Sequence, residues 1–268
     1  MDHTNNTALK LKLFSSWSYI ADNSSEIKEL LADRSSFVPG GKYPCLWKTR
    51  NKYVLKLTLA DGKEVVYKAP LRQKGVHKYL FRPGPYGMEA FNFDRLTKAG
   101  LPMVKLVAAG EKRCCFVLKD GFVMTEYASG FSNGRDFIAG ADFENEKELI
   151  NEFVCRNFVF LAKMHALGII HRGFTPANLL YRKRSEPDAD NNLLDLLWID
   201  VASCQKPFAG IGLHRGIARD LALFFHYFDF SREEKLRYIR VYCSSDPKSR
   251  FTPETLLRLV EKNPVREA

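Results

Sequence analysis

The stretch MHALGIIHRGFTPANLL, Met164 to Leu180, carries more structural information than any other part of this chain. Upstream of it, Ile150, Phe153, Asn157, Leu161 and Met164 recur at helical spacing, which predicts one long helix over Asn145–Leu167 with Gly168 as its stop. Downstream, Leu179–Tyr181 and Leu196–Ile199 are short apolar runs that read as strands. They flank a polar insertion, Arg182–Asn192, with the composition of an exposed loop. Between helix and strand lie His171, Arg172, Gly173, Thr175 and Asn178, a density of polar groups that a merely structural turn does not need.

Working towards the N-terminus, the period changes. Tyr53, Leu55, Leu57 and Leu59 alternate, Asp61-Gly62 is a strong hairpin signal, and Lys63–Ala69 alternates again, with Lys68 near the end of the second strand. From Tyr86 to Ala99 the pattern is helical: Glu89, Phe93 and Leu96 share a face, and Gly100 ends the run. Strands are expected at Val104–Ala109, Cys115–Leu118 and Phe122–Tyr127, the last two joined by a turn at Asp120-Gly121. The first 40 residues say least. Asn23 with Glu26 can cap a short helix to about Ala32, which Pro39–Gly41 breaks.

Towards the C-terminus, Ala218–Phe228 is apolar on nearly all sides and reads as a buried helix. Ser231 with Glu234 forms a capping box, and Thr252-Pro253-Glu254 starts a final helix. The whole is α+β: residues 1–40 as an extension, 41–128 as a strand-rich N-lobe with one helix, and 129–268 as a mainly helical C-lobe. The lobes are joined near Glu126–Arg135, with the cleft between them as the default site.

Composition narrows the class. The 268 residues are 46% hydrophobic and 27% charged, enough for a substantial core and unlike a disordered chain. Forty-one basic against thirty-one acidic residues leave +10, which favours phosphate- or carboxylate-bearing partners. The six cysteines form no C-x-x-C and no zinc-like spacing, so a reducing compartment is expected. No apolar run approaches the roughly 18 residues of a membrane span, and Met1–Lys12 has no signal-peptide core. There is no internal repeat and no nucleic-acid-binding motif, so nucleic acid is not an expected partner.

Phosphoryl transfer depends mainly on charge neutralisation: a lysine, an acid that fixes it, and a pair of metal-holding oxygens. Lys68, Glu89, Asn178 and Asp200 occur in that order. Taken singly, each has an ordinary reading, as a solvated edge charge or a turn former; as an ordered set they point to a site. The segment His171-Arg172-Gly173 followed by four residues and Asn178 resembles the H-R-D-x-x-x-x-N catalytic loop of protein-kinase-like enzymes, and Leu197–Ala202 resembles a divergent metal-binding D-F-G strand. Within that superfamily the chain is most similar to the bacterial lipopolysaccharide core kinases, which act on heptose or Kdo. The shared features are Lys68 in V-V-Y-K, Glu89 ahead of a helix closing in Lys98–Pro102, the hinge-like Met124-Thr125-Glu126, and Arg219-Asp220-Leu221.

That resemblance, over about Thr49–Tyr242, implies a bilobal kinase-like fold and the use of ATP and Mg2+. Lys68 would hold phosphates and Glu89 would orient Lys68. Thr125, Glu126 and Tyr127 would receive adenine, and Asn178 and Asp200 would hold metal. The implied acceptor is a phosphorylated or anionic glycolipid sugar, and the implied location is cytoplasmic with a peripheral contact at the inner membrane face. Arg182–Arg184 with Lys74, Lys78 and Arg82 would be either solvated surface or a cradle for that lipid. His171 and Arg172 would buttress the loop, Asp220 would accept hydrogen bonds from the loop backbone, and His165 would pack in its helix. Three departures stand out. No Gly-rich loop precedes Lys68, Val201-Ala202 replaces Phe-Gly, and Gly173 occupies the position of the aspartate base. His171, Thr175, Asp195 or a water are the candidate substitutes for that base. The competing expectation is a pseudokinase that binds and regulates without turnover.

Overall fold

The alternation read at residues 53–69 becomes a pair of strands buried on one face. In a computed structural model describing residues 16–21, 25–71, 79–80, 83–140, 146–246 and 251–263, β3 (Lys52–Thr58) and β4 (Glu64–Pro70) bury every second side chain. They pair antiparallel from Lys52 opposite Pro70 to Thr58 opposite Glu64. Gly62 takes the left-handed φ of 83° that the tight turn requires. With β1 (Ser16–Ala21), β2 (Cys45–Lys48), β5 (Leu106–Cys114) and β6 (Val117–Glu126) they form a six-stranded antiparallel sheet in the order β1-β5-β6-β4-β3-β2. Leu55, Leu57, Tyr67, Phe122 and Met124 form its apolar face, and Ile27 of α1 (Ser25–Ala32) and Phe37 cover it.

The chain divides into two compact units. One comprises the described residues of Met1–Arg95 with Val104–Ser129, and the other Leu96–Met103 with Gly130–Ala268. The boundary falls inside α2 (Pro85–Lys98). The second unit holds α3 (Gly134–Gly140), α4 (Lys147–Ala166), α5 (Leu213–Phe225), α6 (Arg232–Ser245) and α7 (Pro253–Glu261). It also holds a small sheet ordered β7 (Ser132–Asn133), β8 (Leu179–Lys183), β9 (Leu194–Trp198). Its core is aromatic: Phe158 meets Phe224 edge-on at 5.1 Å, and Phe174 lies 5.2 Å from Trp198. The expected stripe Ile150, Phe153, Asn157, Leu161 and Met164 is buried throughout. Ser231 and Glu234 cap α6 reciprocally, and Thr252 caps α7.

Four details differ from the sequence reading. Asp120-Gly121 is not a turn: β6 continues through it, with a register shift at Lys119, and the chain reverses at Cys115-Phe116, whose φ values of 48° and 67° make a two-residue hairpin from unfavourable residue types. Gly121 serves close approach instead, since a Cβ there would lie 2.8 Å from the Tyr86 ring. Strands β1 and β2 and helix α3 carry no clear local signal, and β2, exposed along its length, has no buried alternation to read. Helix α5 begins at Leu213, earlier than expected: Gly212 takes a left-handed φ of 81° ahead of it, and the polar His214 and Arg215, with Gly216, hide its start in the apolar pattern. β8 continues through Lys183 into the expected loop. Met1–Lys12, Asn23, Lys74, Lys78, Arg82 and Asn145 lie outside the described residues.

Candidate active site

In the first unit the lysine and the acid meet. Lys68 Nζ donates to Glu89 Oε1 at 2.9 Å, with side chains 14% and 3% exposed. They lie 21 residues apart, on β4 and one turn into α2. What aims Glu89 is a second buried ion pair that sequence reasoning missed. Glu111 and Arg113, both on β5, pair at 2.7 Å, and Glu111 Oε1 accepts the Gly87 N–H at 3.0 Å, satisfying a first-turn donor of α2 and placing negative charge at its positive end. Gly84 and Gly87 are glycines for this reason: a Cβ at either would fall within 2.7 Å of that carboxylate oxygen. Arg113 also donates to the carbonyls of Phe116 and Tyr79, so the entry to α2 is tied to the new hairpin turn. The local signal for this arrangement is the charged run Glu111-Lys112-Arg113 at the end of an apolar strand, with Glu111 and Arg113 two residues apart and so on one face.

Thr125 and Glu126 end β6, and Tyr127 follows it. Glu126 N–H donates to the Lys105 carbonyl and Tyr127 N–H to the Glu64 carbonyl, while the Glu126 carboxylate pairs with Lys105 at 3.1 Å. Those two backbone donors are therefore spent on main-chain carbonyls of the same unit.

In the second unit Asn178 and Asp200 sit at the same end of the β8–β9 ladder: Leu179 pairs with Trp198, and the Asn178 carbonyl accepts Ile199 N–H at 3.0 Å. Asp200 adopts a left-handed φ of 54°. Two residues earlier, the Trp198 indole donates to Asn157 Oδ1 at 2.7 Å inside the core, which explains an asparagine in the apolar stripe of α4 and fixes the strand that delivers Asp200. Among the described residues no group of three or more His, Cys, Asp or Glu side chains could hold a metal. One amide and one carboxylate oxygen suit Mg2+ all the same, because that ion keeps several waters and phosphate oxygens and rarely takes an all-protein cage.

The loop between them is held from below by Asp220. Its Oδ2 accepts His171 N–H at 2.6 Å, and its Oδ1 accepts Arg172 N–H at 2.7 Å. Arg172 has a φ of 64°, so these bonds hold a residue in a strained conformation. His165 Nε2 lies 3.2 Å from Asp220 Oδ2, and its Nδ1 is 2.8 Å from Tyr242 Oη. The carboxylate makes Nε2 the donor and leaves Nδ1 to accept from the tyrosine. Replacing Asp220 by alanine would strand three buried or part-buried donors. We expect a loss of about 3–5 kcal/mol in urea unfolding, and about 1–3 kcal/mol for Asp220→Asn, which turns one acceptor oxygen into a donor. An alanine variant with an unchanged midpoint would contradict this role.

The candidate substitutes for the missing base are sorted by their surroundings. His171 is fully buried between Phe174 and Trp198 with neither ring nitrogen hydrogen-bonded, and burial lowers its pKa against the pull of Asp220 and Asp200, so it stays neutral and enclosed. Asp195 accepts from Arg182 at 2.7 and 3.0 Å and from Arg184 at 2.7 Å. Partial burial opposes its ionisation, but those hydrogen bonds and charges outweigh it and hold the carboxyl below the ordinary range. Lys183 pairs with Glu146, so each cation of the run Arg182–Arg184 faces a carboxylate at the surface. Thr175 is half-buried, its N–H bonded to the Gly173 carbonyl.

Gly173 also accepts Asn178 Nδ2 at 2.9 Å. The side chain nearest the position a Cβ would take is Ser203, whose Oγ stands 3.3 Å away and donates to the His171 carbonyl at 2.9 Å. Sequence reasoning did not single out Ser203; its place three residues after Asp200 was the available signal.

A sheet bearing a buried lysine–glutamate pair, followed by a helical unit with this loop and hairpin, defines a protein-kinase-like fold. Comparison with known proteins narrows the class. Residues 77–235, more than half of the chain, match the lipopolysaccharide kinase (Kdo/WaaP) family, and the chain belongs to that family. Among solved structures it resembles WaaP in complex with acyl carrier protein, at 18% identity over 90% of this chain and 92% of that one, with a TM-score of 0.63, a likeness of fold. The Rio2 kinase–ADP/Mg2+–phosphoaspartate complex from Chaetomium thermophilum is a weaker neighbour, at 15% identity over 88% and 69% of the two chains and a TM-score of 0.47. No curated protein matches the chain.

Proposed function

We propose that this protein transfers the γ-phosphate of ATP to a sugar hydroxyl of the lipopolysaccharide core, heptose or Kdo, without an aspartate base. The observation that carries the reading is the buried Lys68–Glu89 pair in a member of the lipopolysaccharide kinase family. Residues 41–128 would supply the phosphate lysine and its acid, and residues 129–268 the catalytic and metal loops. Lys68 neutralises phosphate oxygens, and Glu89 holds its ammonium in place. Asn178 and Asp200 are the oxygen donors for Mg2+, which supplies charge neutralisation on the phosphates. The acceptor oxygen forms a bond to Pγ as the bond from Pγ to the ADP oxygen breaks, and the hydroxyl proton leaves to solvent or to the transferred phosphate. Such a transition state is loose, so positioning and charge carry most of the catalysis and a slow enzyme can work without a base.

The test is incorporation of γ-labelled phosphate into lipopolysaccharide whose inner-core sugars have been dephosphorylated, run beside thermal unfolding with ATP and Mg2+. We expect slow incorporation and a raised unfolding temperature. Absence of both would reject the reading. A raised temperature with no incorporation would favour the second reading, a nucleotide-binding pseudokinase, which the glycine at position 173 supports.

A further inference from the structure

The segment between Val201 and Arg219 combines exposed cations with two protruding apolar side chains on one short turn. It contains Lys206, Arg215 and Arg219, all exposed, and no acidic residue. At its centre Phe208 is 89% and Ile211 76% exposed, the most exposed large apolar side chains among the described residues. Isolated exposed apolar residues are ordinary, but two that touch almost nothing of their own chain, on one short turn, are not.

The turn is held in shape. Gly210 N–H donates to the Pro207 carbonyl and Ile211 N–H to the Phe208 carbonyl, with Ala209, Gly210 and Gly212 at positive φ. Both of its ends are fastened to the same residue. Ile170 and Gln205 exchange backbone hydrogen bonds of 2.9 and 3.0 Å ahead of it, and behind it Gly216 sits so close to Ile170 that a Cβ would approach its side chain to 2.6 Å. Holding two apolar side chains in water on an anchored turn has no benefit to folding.

We propose that this turn seats on an anionic membrane surface, with Phe208 and Ile211 entering the headgroup–acyl boundary and Lys206, Arg215 and Arg219 meeting lipid phosphates. Two observations choose a bilayer over a protein partner. Protruding side chains need a complementary pocket in a protein, whereas a lipid interface accepts them without one. The flanking charge is uniformly positive, as the potential of an anionic leaflet demands. No described helix is long and apolar enough to cross a membrane, so the contact is peripheral. The inference does not depend on phosphate transfer, nor on the Arg182–Arg184 run, whose cations are paired.

The experiment is co-sedimentation of the full chain with vesicles of phosphatidylcholine alone and of phosphatidylcholine with about one-third phosphatidylglycerol. We expect binding to the anionic vesicles that weakens as salt shortens the screening length. The Phe208→Glu/Ile211→Glu variant should bind at least about tenfold more weakly, and Lys206→Ala or Arg215→Ala each about fivefold more weakly. These side chains are exposed, so the variants should keep the parent's unfolding temperature. Equal binding by the parent and the double variant would overturn the proposal. So would equal binding to neutral and anionic vesicles, or absence of vesicle binding together with retention of the parent on an immobilised acidic protein.

Discussion

Lys68→Ala should reduce phosphate incorporation by at least about 10³-fold, a larger effect than that of a single neutral oxyanion donor because a full charge facing the phosphates is lost. The same change should lower stability. Glu89 is 3% exposed on its side chain and would remain in a dry site without its ammonium at 2.9 Å, and breaking a buried pair from one side costs about 3–5 kcal/mol. The two losses are separable. Lys68→Met with Glu89→Gln removes both charges and preserves bulk, so unfolding by urea should return close to the parent while incorporation stays lost. Parent-like activity in either variant would remove Lys68 from the chemistry. Failure of the double variant to regain stability would show that the pair is not the main term.

Gly173→Asp should raise turnover by about 10²- to 10⁴-fold, the range a positioned general base contributes, with little change in the apparent affinity for ATP. The backbone permits it. Gly173 does not adopt a positive φ, and the atoms nearest to a Cβ there are Ser203 Oγ at 3.3 Å, Asn178 Nδ2 at 3.8 Å and His171 Nδ1 at 3.8 Å. The first is a small hydroxyl that can turn aside, and the other two are ordinary contacts. Glycine is thus not imposed at this position by the fold, in contrast to Gly84 and Gly87 against Glu111. What its presence removes is chemistry. Unchanged turnover in the aspartate variant would mean that another group already orients the acceptor hydroxyl. Ser203 is then the residue to remove, since its proton is committed to the His171 carbonyl and its lone pairs remain beside the vacant position.

Much of the fold could be read locally because its causes are local. The β3–β4 hairpin follows from a two-residue period and a glycine at a left-handed turn. α6 and α7 follow from their caps, and the burial of α4 from a 3.6-residue stripe. The hairpin at Cys115-Phe116 was not readable, since neither residue favours positive φ and the strain is outweighed by the β5–β6 ladder on either side. Nor was the length of β6: Asp-Gly is a turn signal only where nothing packs on it, and at Gly121 the Tyr86 ring does.

The order of Lys68, Glu89, Asn178 and Asp200, and the absence of an acid at Gly173, are properties of the one-dimensional chain. They follow from side-chain chemistry at given spacings and needed no coordinates. The fate of each polar group depended on neighbours distant in sequence. Asp195 is neutralised by two arginines, His171 is enclosed by Phe174 and Trp198, and Asp220 is committed to the loop backbone 48 and 49 residues away. Ser203 is brought beside the empty base position, and Phe208 and Ile211 are left in solvent. A side chain's pKa, partners and exposure are set by what surrounds it in space, and for these groups that environment exists only once the helices and hairpins have packed.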